Sequence, residues 1–324
     1  MKITLEKRAR ALAACRAALE ARGFLEVDPP ALVPAPGMEP HIDAFELRSV
    51  EGRRLYLHTS PEYAMKRLLA AGLPRIYSLG HVYRDEPASV THSPEFTMLE
   101  MYCPGGEREI MAELEGVIAA VAEVLGRPLE LPFERRSVRE VFREYTGVDI
   151  AGFLPASEHR DAFAAALEAA GALRAAGPED GWDELFFRAF LDHVEPKLGQ
   201  GRALYLTDYP AHMAALSKLR TDDPAFARRF ELYLDGVELA NGFAELDDEA
   251  EQRARLVAEQ EERRAAGRPV YPLDEPFLEA VGRLPETGGV ALGFDRLLML
   301  LTGAESIAEV LPLPFADYAF PGED

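Results

Sequence analysis

Residues 80–102 read GHVYRDEPASVTHSPEFTMLEMY, and the reading of this stretch decides the fold. Its two ends are β-rich and a PASVT break separates them, so RIYSLGHVYR (75–84) and EFTMLEMY (95–102) are predicted to form an antiparallel pair. The pair is heavily charged. Arg84, Asp85 and Glu86 end one arm, His92 follows the break, and Glu95 and Glu100 sit on the return arm. Such a pattern is either a surface hairpin with charged alternate side chains or the polar floor of an active site. On the second reading the arginine clamps a nucleotide phosphate, an acid holds a bridging Mg2+, His92 adds a donor and Phe96 offers a flat face to a base.

Outward from that pair the pattern is mixed. Leu5, Leu12, Cys15 and Leu19 recur at helical spacing until Gly23, and FLEVDPP (24–30) follows as a short strand closed by two prolines. The loop VPAPGMEPHIDAFE leads to the strand-like RRLYLHTS (53–60), and Pro61 is placed to start the helix EYAMKRLLAAG. A helix carrying Ile110, Leu114, Val117 and Val121 comes after the charged pair. Residues 127–200 are Ala-rich, mainly helical and broken by GPEDG, as an insertion or outer layer would be. Strand patterns return in ALYLTDYP and RFELYLDGVELANGFAEL, residues 247–266 form a charged, solvent-facing helix, and GGVALGFDRLLMLLTGAESIAEV is a Gly-rich strand entering an apolar helix. This order predicts an α+β domain with an antiparallel sheet flanked by helices rather than a doubly wound one.

Composition narrows the function. The chain has 324 residues, 48% of them hydrophobic, and a formal net charge of −21, which disfavours a protein built mainly to grip a phosphate backbone. No apolar run approaches the roughly 20 residues needed to span a bilayer, and the charged N-terminus reads as a folded helix rather than a signal peptide. Cys15 and Cys103 supply neither a disulfide framework nor a metal cluster. A cytoplasmic enzyme without membrane contact is expected.

Two further clusters carry chemistry. In GVELANGFAEL (236–246), Glu238 and Glu245 flank an Asn–Gly pair of the kind that opens a type I′ turn, so the acids stand either on an exposed bend or in a site. In GGVALGFDRLL (288–298), three glycines allow close approach of a ligand at a strand-to-helix junction, with Arg296 in the first turns of the helix. The segment matches neither the P-loop nor the dinucleotide-binding spacing.

Taken together and in order, these blocks resemble the catalytic domain of the class II aminoacyl-tRNA synthetases, and among them the lysyl enzymes. ALAACRAALEARGFLEVDPPAL resembles the first class II motif with its proline at Pro30, GHVYRDEPASVTHSPEFTMLEMY the second, and GGVALGFDRLLMLLTG the third; LHTSPEYAMKRLL and VELANGFAEL are further lysyl-type segments. The resemblance covers nearly the whole chain. In lysyl-tRNA synthetases an anticodon-binding barrel precedes the first motif, whereas here the first motif's helix begins close to Met1. One catalytic domain over 1–324 without an anticodon-binding domain is therefore expected. That shortened form resembles the family of ligases that activate (R)-β-lysine with ATP and attach it to a lysine of elongation factor P.

The resemblance implies roles residue by residue. Arg84 holds the α-phosphate, Glu86 and Glu238 serve ATP and its Mg2+ ions, Phe96 stacks on adenine, and Arg296 covers the other face while reaching the γ-phosphate. Asp85, His92, Ser93, Leu239 and Gly293 fall at further nucleotide positions. Ser60, Pro61 and Glu62 receive the amino group near the substrate carboxylate, Glu100, Tyr102 and Glu245 the distal ammonium, and Asn241 and Phe243 shape the pocket. Ala291 stands where lysyl-tRNA synthetases usually have glycine and where the ligases resemble this chain. Asp85 and Ser93 replace the usual asparagines and Met101 an aromatic residue. A homodimer through the first motif and no stable tRNA binding are also implied. The chemistry accounts for these residue types: an anionic carboxylate attacks an anionic α-phosphoryl group, which needs positive clamps and metal ions but no covalent protein nucleophile. The competing expectations are a shortened synthetase charging tRNA with ordinary lysine and a non-catalytic relative acting as a binding module.

Overall fold

The structure is a computed structural model and describes residues 2–319. It comprises two compact units, one built from the chain up to Pro128 and from Ala244 onward, the other from Leu129–Phe243.

The first unit opens with helix α1 (Lys2–Glu20), which buries Ala11, Cys15 and Leu19 and ends before Gly23, whose φ of 77° is left-handed. Short strands β1 (Leu25–Glu26), β2 (Leu32–Val33), β3 (Glu46–Arg48) and β4 (Arg54–Leu57) precede helix α2 (Glu62–Ala70), for which Pro61 supplies the N-cap. Strands β5 (Ile76–Tyr83) and β6 (Glu95–Pro104) are the arms of the charged pair. They run antiparallel from Ile76↔Tyr102 to Tyr83↔Glu95, and β1 joins β5 in parallel. Helix α3 (Glu107–Val124) buries Ile110, Leu114, Val117 and Val121, the predicted stripe, and packs on α1.

In the second unit, β7 (Glu134–Ser137) runs into α4 (Val138–Thr146), which opens on a Ser137–Glu140 capping box and stops at Gly147. Helices α5 (Ala156–Ala169) and α6 (Trp182–His193) follow, then strands β8 (Leu204–Pro210), β9 (Phe226–Leu234) and β10 (Val237–Ala244). β7 is parallel to β8, and β8, β9 and β10 pair antiparallel. The helices close over this layer with stacked rings: Trp182 lies 4.6 Å from Phe163, and Phe142 5.0 Å from Phe186. The expected Asn–Gly turn is corrected here. Asn241 and Gly242 pair with Glu231 and Phe230 inside the strand, and the chain reverses at Asp235–Gly236, with φ of 50° and 76°. Asp–Gly meets the same left-handed demand, and it leaves the Asn241 side chain available to a site.

The chain re-enters the first unit through α7 (Glu249–Ala265), α8 (Glu275–Val281), β11 (Thr287–Gly293) and α9 (Phe294–Thr302). β11 pairs antiparallel with β6, giving the order β1-β5-β6-β11, with the charged pair interior to the layer. A Cβ on Gly288 would stand 2.2 Å from the Gly106 carbonyl oxygen, so this glycine lets α3 begin directly against β11. The solvent-facing reading of 247–266 is corrected for part of that helix. Gln252, Leu256 and Arg263 are buried, and the Arg263 guanidinium lies against the Tyr271 ring at 4.4 Å.

Candidate functional site

The first group of predicted residues gathers where β5 and β6 diverge. Arg84 N–H donates to Pro94 C=O at 2.9 Å and closes the hairpin mouth, and the Arg84 guanidinium lies 5.2 Å from the Phe96 ring centre. Asp85 is exposed and Glu86 half-buried, its N–H bonded to the Arg84 carbonyl. From β11 the chain enters α9 with Gly293 at the N-cap, which sets Arg296 in the first turn. Arg296 Nε donates to Thr91 C=O, and its Nη2 lies 2.8 Å from His92 Nε2. A guanidinium can only donate, so Nε2 is the acceptor and the His92 proton sits on Nδ1, facing Ser89 Oγ and Thr91 Oγ1 at 3.0 and 3.1 Å. Burial, and then the Arg296 charge, hold the His92 pKa below its ordinary value, which keeps the ring neutral. Ser93 is buried and its Oγ has no hydrogen-bond partner among the described residues, an orphaned group of the kind a ligand satisfies.

What aims α9 was missed in the sequence. Asp295 is fully buried, accepts Thr97 N–H at 2.7 Å and pairs with buried Arg8 of α1, which also donates to Thr97 Oγ1. One carboxylate thus ties the first, second and third motif segments together and leaves the next residue, Arg296, facing the hairpin loop. The signal available was the GFDR sequence itself, in which only the arginine drew attention.

The second group lies along β6. Glu100 is 2% exposed and accepts from Ser60 Oγ at 2.6 Å and from Tyr102 OH at 2.7 Å. Burial, and next the neighbouring Glu62 charge, push the Glu100 carboxyl up to about 8. Glu62 opens α2, its N–H capped by Ser60 Oγ at 3.0 Å. Glu245 is 1% exposed, and a Cβ on Gly289 would fall 2.1 Å from its Oε1 and 2.3 Å from the Tyr102 ring. Gly289 therefore makes room for both side chains. Ala291 stands opposite Glu100 on the adjoining strand.

Sequence reasoning also missed Lys66. Its side chain is fully buried, with Nζ 2.6 Å from Glu62 Oε1 and 2.6 Å from Glu245 Oε2. Burial alone would lower its pKa, but the two carboxylates outweigh that and hold it above the ordinary value. The Glu62–Lys66 spacing of four was the available signal, and in an isolated helix it reads as a solvated surface pair. The carboxyl groups of Glu62, Glu100 and Glu245 and the ammonium of Lys66 thus lie together in the buried interior of this unit.

The second unit carries the remaining predicted residues on β10. Leu239 is buried, and Glu238, Asn241 and Phe243 are half-buried. Arg229 Nε donates to Asn241 Oδ1 at 3.3 Å and Nη2 to Glu231 at 2.6 Å, while Tyr233 OH bonds Glu231 at 2.7 Å. Asn241 is therefore oriented by a buried network. Among the described residues, no three His, Cys, Asp or Glu side chains are grouped to hold a metal ion, and no helix is long and apolar enough to cross a membrane.

This first unit thus combines an antiparallel layer, Arg84 at the hairpin mouth, Arg296 in the first turn of α9 and buried acids at Glu100 and Glu245. The family of class II tRNA synthetases for Asp, Lys and Asn matches residues 1–317, and the chain belongs to it, with the class II catalytic fold. Within that family the chain is similar to proteins named elongation factor P–(R)-β-lysine ligase. The one from Proteus mirabilis (strain HI4320) is 38% identical over 317 residues, 96% of this chain and 94% of the relative. Those from Edwardsiella ictaluri (strain 93-146) and Erwinia tasmaniensis (strain DSM 17950) are each 39% identical over 314 residues, 95% of this chain and 93% of theirs.

Proposed function

We propose that this protein is an ATP-dependent ligase that converts (R)-β-lysine to its adenylate and transfers it to a lysine side chain of elongation factor P. The observation that carries this reading is the buried grouping of Glu62, Glu100 and Glu245 beside Lys66, a concentration of carboxyl groups that suits a substrate bearing an ammonium. Relatives of nearly equal length bear the ligase name, and that supports the choice of substrate and acceptor.

Arg84, whose guanidinium lies 5.2 Å from the Phe96 ring centre, serves the α-phosphate with adenine against that ring, and stabilises charge as the substrate carboxylate attacks and pyrophosphate leaves. Arg296 and neutral His92 serve the distal phosphates, and Asp85, Ser93 and Gly293 line the nucleotide. Glu86 is a hard oxygen donor of the type Mg2+ takes, with nucleotide phosphates and water supplying most of the coordination. Mg2+ would neutralise phosphate charge. Glu100, Tyr102 and Glu245 receive the distal ammonium, and Ser60, Pro61 and Glu62 the end that carries the carboxylate. In the second unit Glu238 and Leu239 are nucleotide residues, Glu238 a further candidate Mg2+ ligand, and Asn241 and Phe243 amino-acid residues. Transfer proceeds by attack of an uncharged acceptor amine on the adenylate carbonyl, with AMP leaving. The enzyme works in the cytoplasm, without stable tRNA binding, as a homodimer; Leu25 and Leu32, 54% and 49% exposed at the first motif, support an interface there. ATP–pyrophosphate exchange with (R)-β-lysine tests the first step. Exchange with L-lysine alone contradicts the substrate, and exchange with neither contradicts the enzyme reading.

A further inference from the structure

The loop before β3 holds a second acidic feature. A Cβ on Gly37 would lie 2.2 Å from Glu39 Oε2 and 3.0 Å from Thr59 Oγ1, so the absence of a side chain at Gly37 is what lets both oxygens approach this position. Both atoms are buried and neither has a hydrogen-bond partner among the described residues, and Thr59 as a whole is 1% exposed. A buried carboxyl oxygen and a buried hydroxyl left unsatisfied near one backbone position cost free energy unless a donor arrives.

Their place in the unit is fixed on both sides. Arg263 Nη1 donates to the carbonyls of Glu39 and Ile42 at 2.7 and 2.8 Å and pins the loop to α7. Asp43 C=O accepts Asp85 N–H at 2.8 Å, tying the same loop to the Arg84–Asp85–Glu86 run. Thr59 leads directly into Ser60–Pro61–Glu62, and its neighbour His58 is bonded to β5 through His81 C=O at 2.9 Å. Glu39 and Thr59 therefore stand between the residues assigned to the α-phosphate and the start of α2. Electrostatics agree. Burial and then Glu62 hold the Glu39 carboxyl above its ordinary value against the opposing pull of its own backbone N–H, Arg84 and Arg263, and half-buried Glu259 on α7 is pushed up to about 8 by burial and then by Glu39.

Glu62, the acid assigned to the substrate's amino group near the carboxylate, already spends Oε1 on Lys66. Resting on the amino-acid substrate proposed above, we infer that Glu39 Oε2 and Thr59 Oγ1 form a subsite for the ammonium group nearer the substrate carboxylate, which makes Glu39 a specificity-determining residue. The ammonium donates to both oxygens, and the distal pocket at Glu100 and Glu245 is left to the far end of the ligand.

The test compares a ligand with and without that amine. Wild type, Glu39→Gln, Thr59→Val and Thr59→Ser are titrated calorimetrically with (R)-β-lysine and with 6-aminohexanoate, which keeps the carboxylate and the distal ammonium only. Glu39→Gln should weaken (R)-β-lysine by about tenfold or more and leave 6-aminohexanoate and the KM for ATP unchanged. Thr59→Val should act in the same direction, and Thr59→Ser should restore binding. Equal losses for both ligands, or unchanged binding of (R)-β-lysine by Glu39→Gln, would overturn the subsite while sparing the substrate. Failure of wild type to bind (R)-β-lysine would overturn both.

Discussion

Lys66 reaches Glu245 across the first unit, Nζ to Oε2 at 2.6 Å, from a helix whose own Glu62 it also contacts at 2.6 Å. A fully buried ammonium thereby holds two acids of the proposed amino-acid pocket in place. Breaking such a pair leaves uncompensated buried charge and costs about 3–5 kcal/mol. Lys66→Met should lower the melting temperature and raise the KM for the amino acid far more than that for ATP. Equal changes in both KM values would confine Lys66 to the fold.

Glu100 gives the pocket a pH dependence. Burial, and next the Glu62 charge, push its carboxyl up to about 8, and an arriving ammonium requires the ionised form. The KM for the amino acid should therefore fall as pH rises from about 6 towards 8 and level off above. Stability follows the opposite course. A carboxyl raised above its unfolded value favours folding most below that value, and the contribution is lost as pH climbs towards the folded pKa. Glu100→Gln should accordingly gain thermal stability over wild type as pH increases, while losing amino-acid affinity and its pH dependence. A KM profile unchanged by the substitution would assign the titration elsewhere.

Gly289 tests the packing of the same pocket without touching a charge. A methyl there meets Glu245 Oε1 at 2.1 Å and the Tyr102 ring at 2.3 Å, distances no real Cβ tolerates. Gly289→Ala should displace both and weaken the amino acid by about tenfold or more, since overpacking costs about 1–3 kcal/mol. ATP affinity should hold. Wild-type kinetics would show that Glu245 and Tyr102 shift without consequence.

Ala291 faces Glu100 from the neighbouring strand and is half-buried. In the proposed binding mode its methyl stands beside the substrate, where moving the amine one carbon outward matters. A steric difference of this size is worth about 1–3 kcal/mol, so Ala291→Gly should raise exchange with L-lysine by about tenfold and narrow the preference for the β isomer. Unchanged kinetics with both isomers would remove Ala291 from the discrimination.

Much of this was legible in the sequence because β patterning is local. The β-rich runs IYSLGHVY and EFTMLEMY on either side of PASVT predicted the β5–β6 pair, and the spacing of Ile110, Leu114, Val117 and Val121 predicted α3. The misread turn was a choice between two Gly-containing dipeptides, Asp235–Gly236 and Asn241–Gly242, which local propensity ranks alike and only strand register separates. The buried charges were illegible for a different reason. Lys66, Arg263 and Asp295 are polar residues on helices, and a helix-local reading sends such residues to solvent. Their partners Glu245, Asp43 and Thr97 lie far away in sequence, so only the fold brings them together.

The central claim is best tested by incubating purified enzyme with ATP, Mg2+, (R)-β-lysine and unmodified elongation factor P, and measuring the intact mass of the factor. The account predicts a gain of one β-lysyl group on a lysine side chain, dependent on ATP and lost in Arg84→Ala. An unmodified factor under conditions where the enzyme charges tRNA with L-lysine would contradict it.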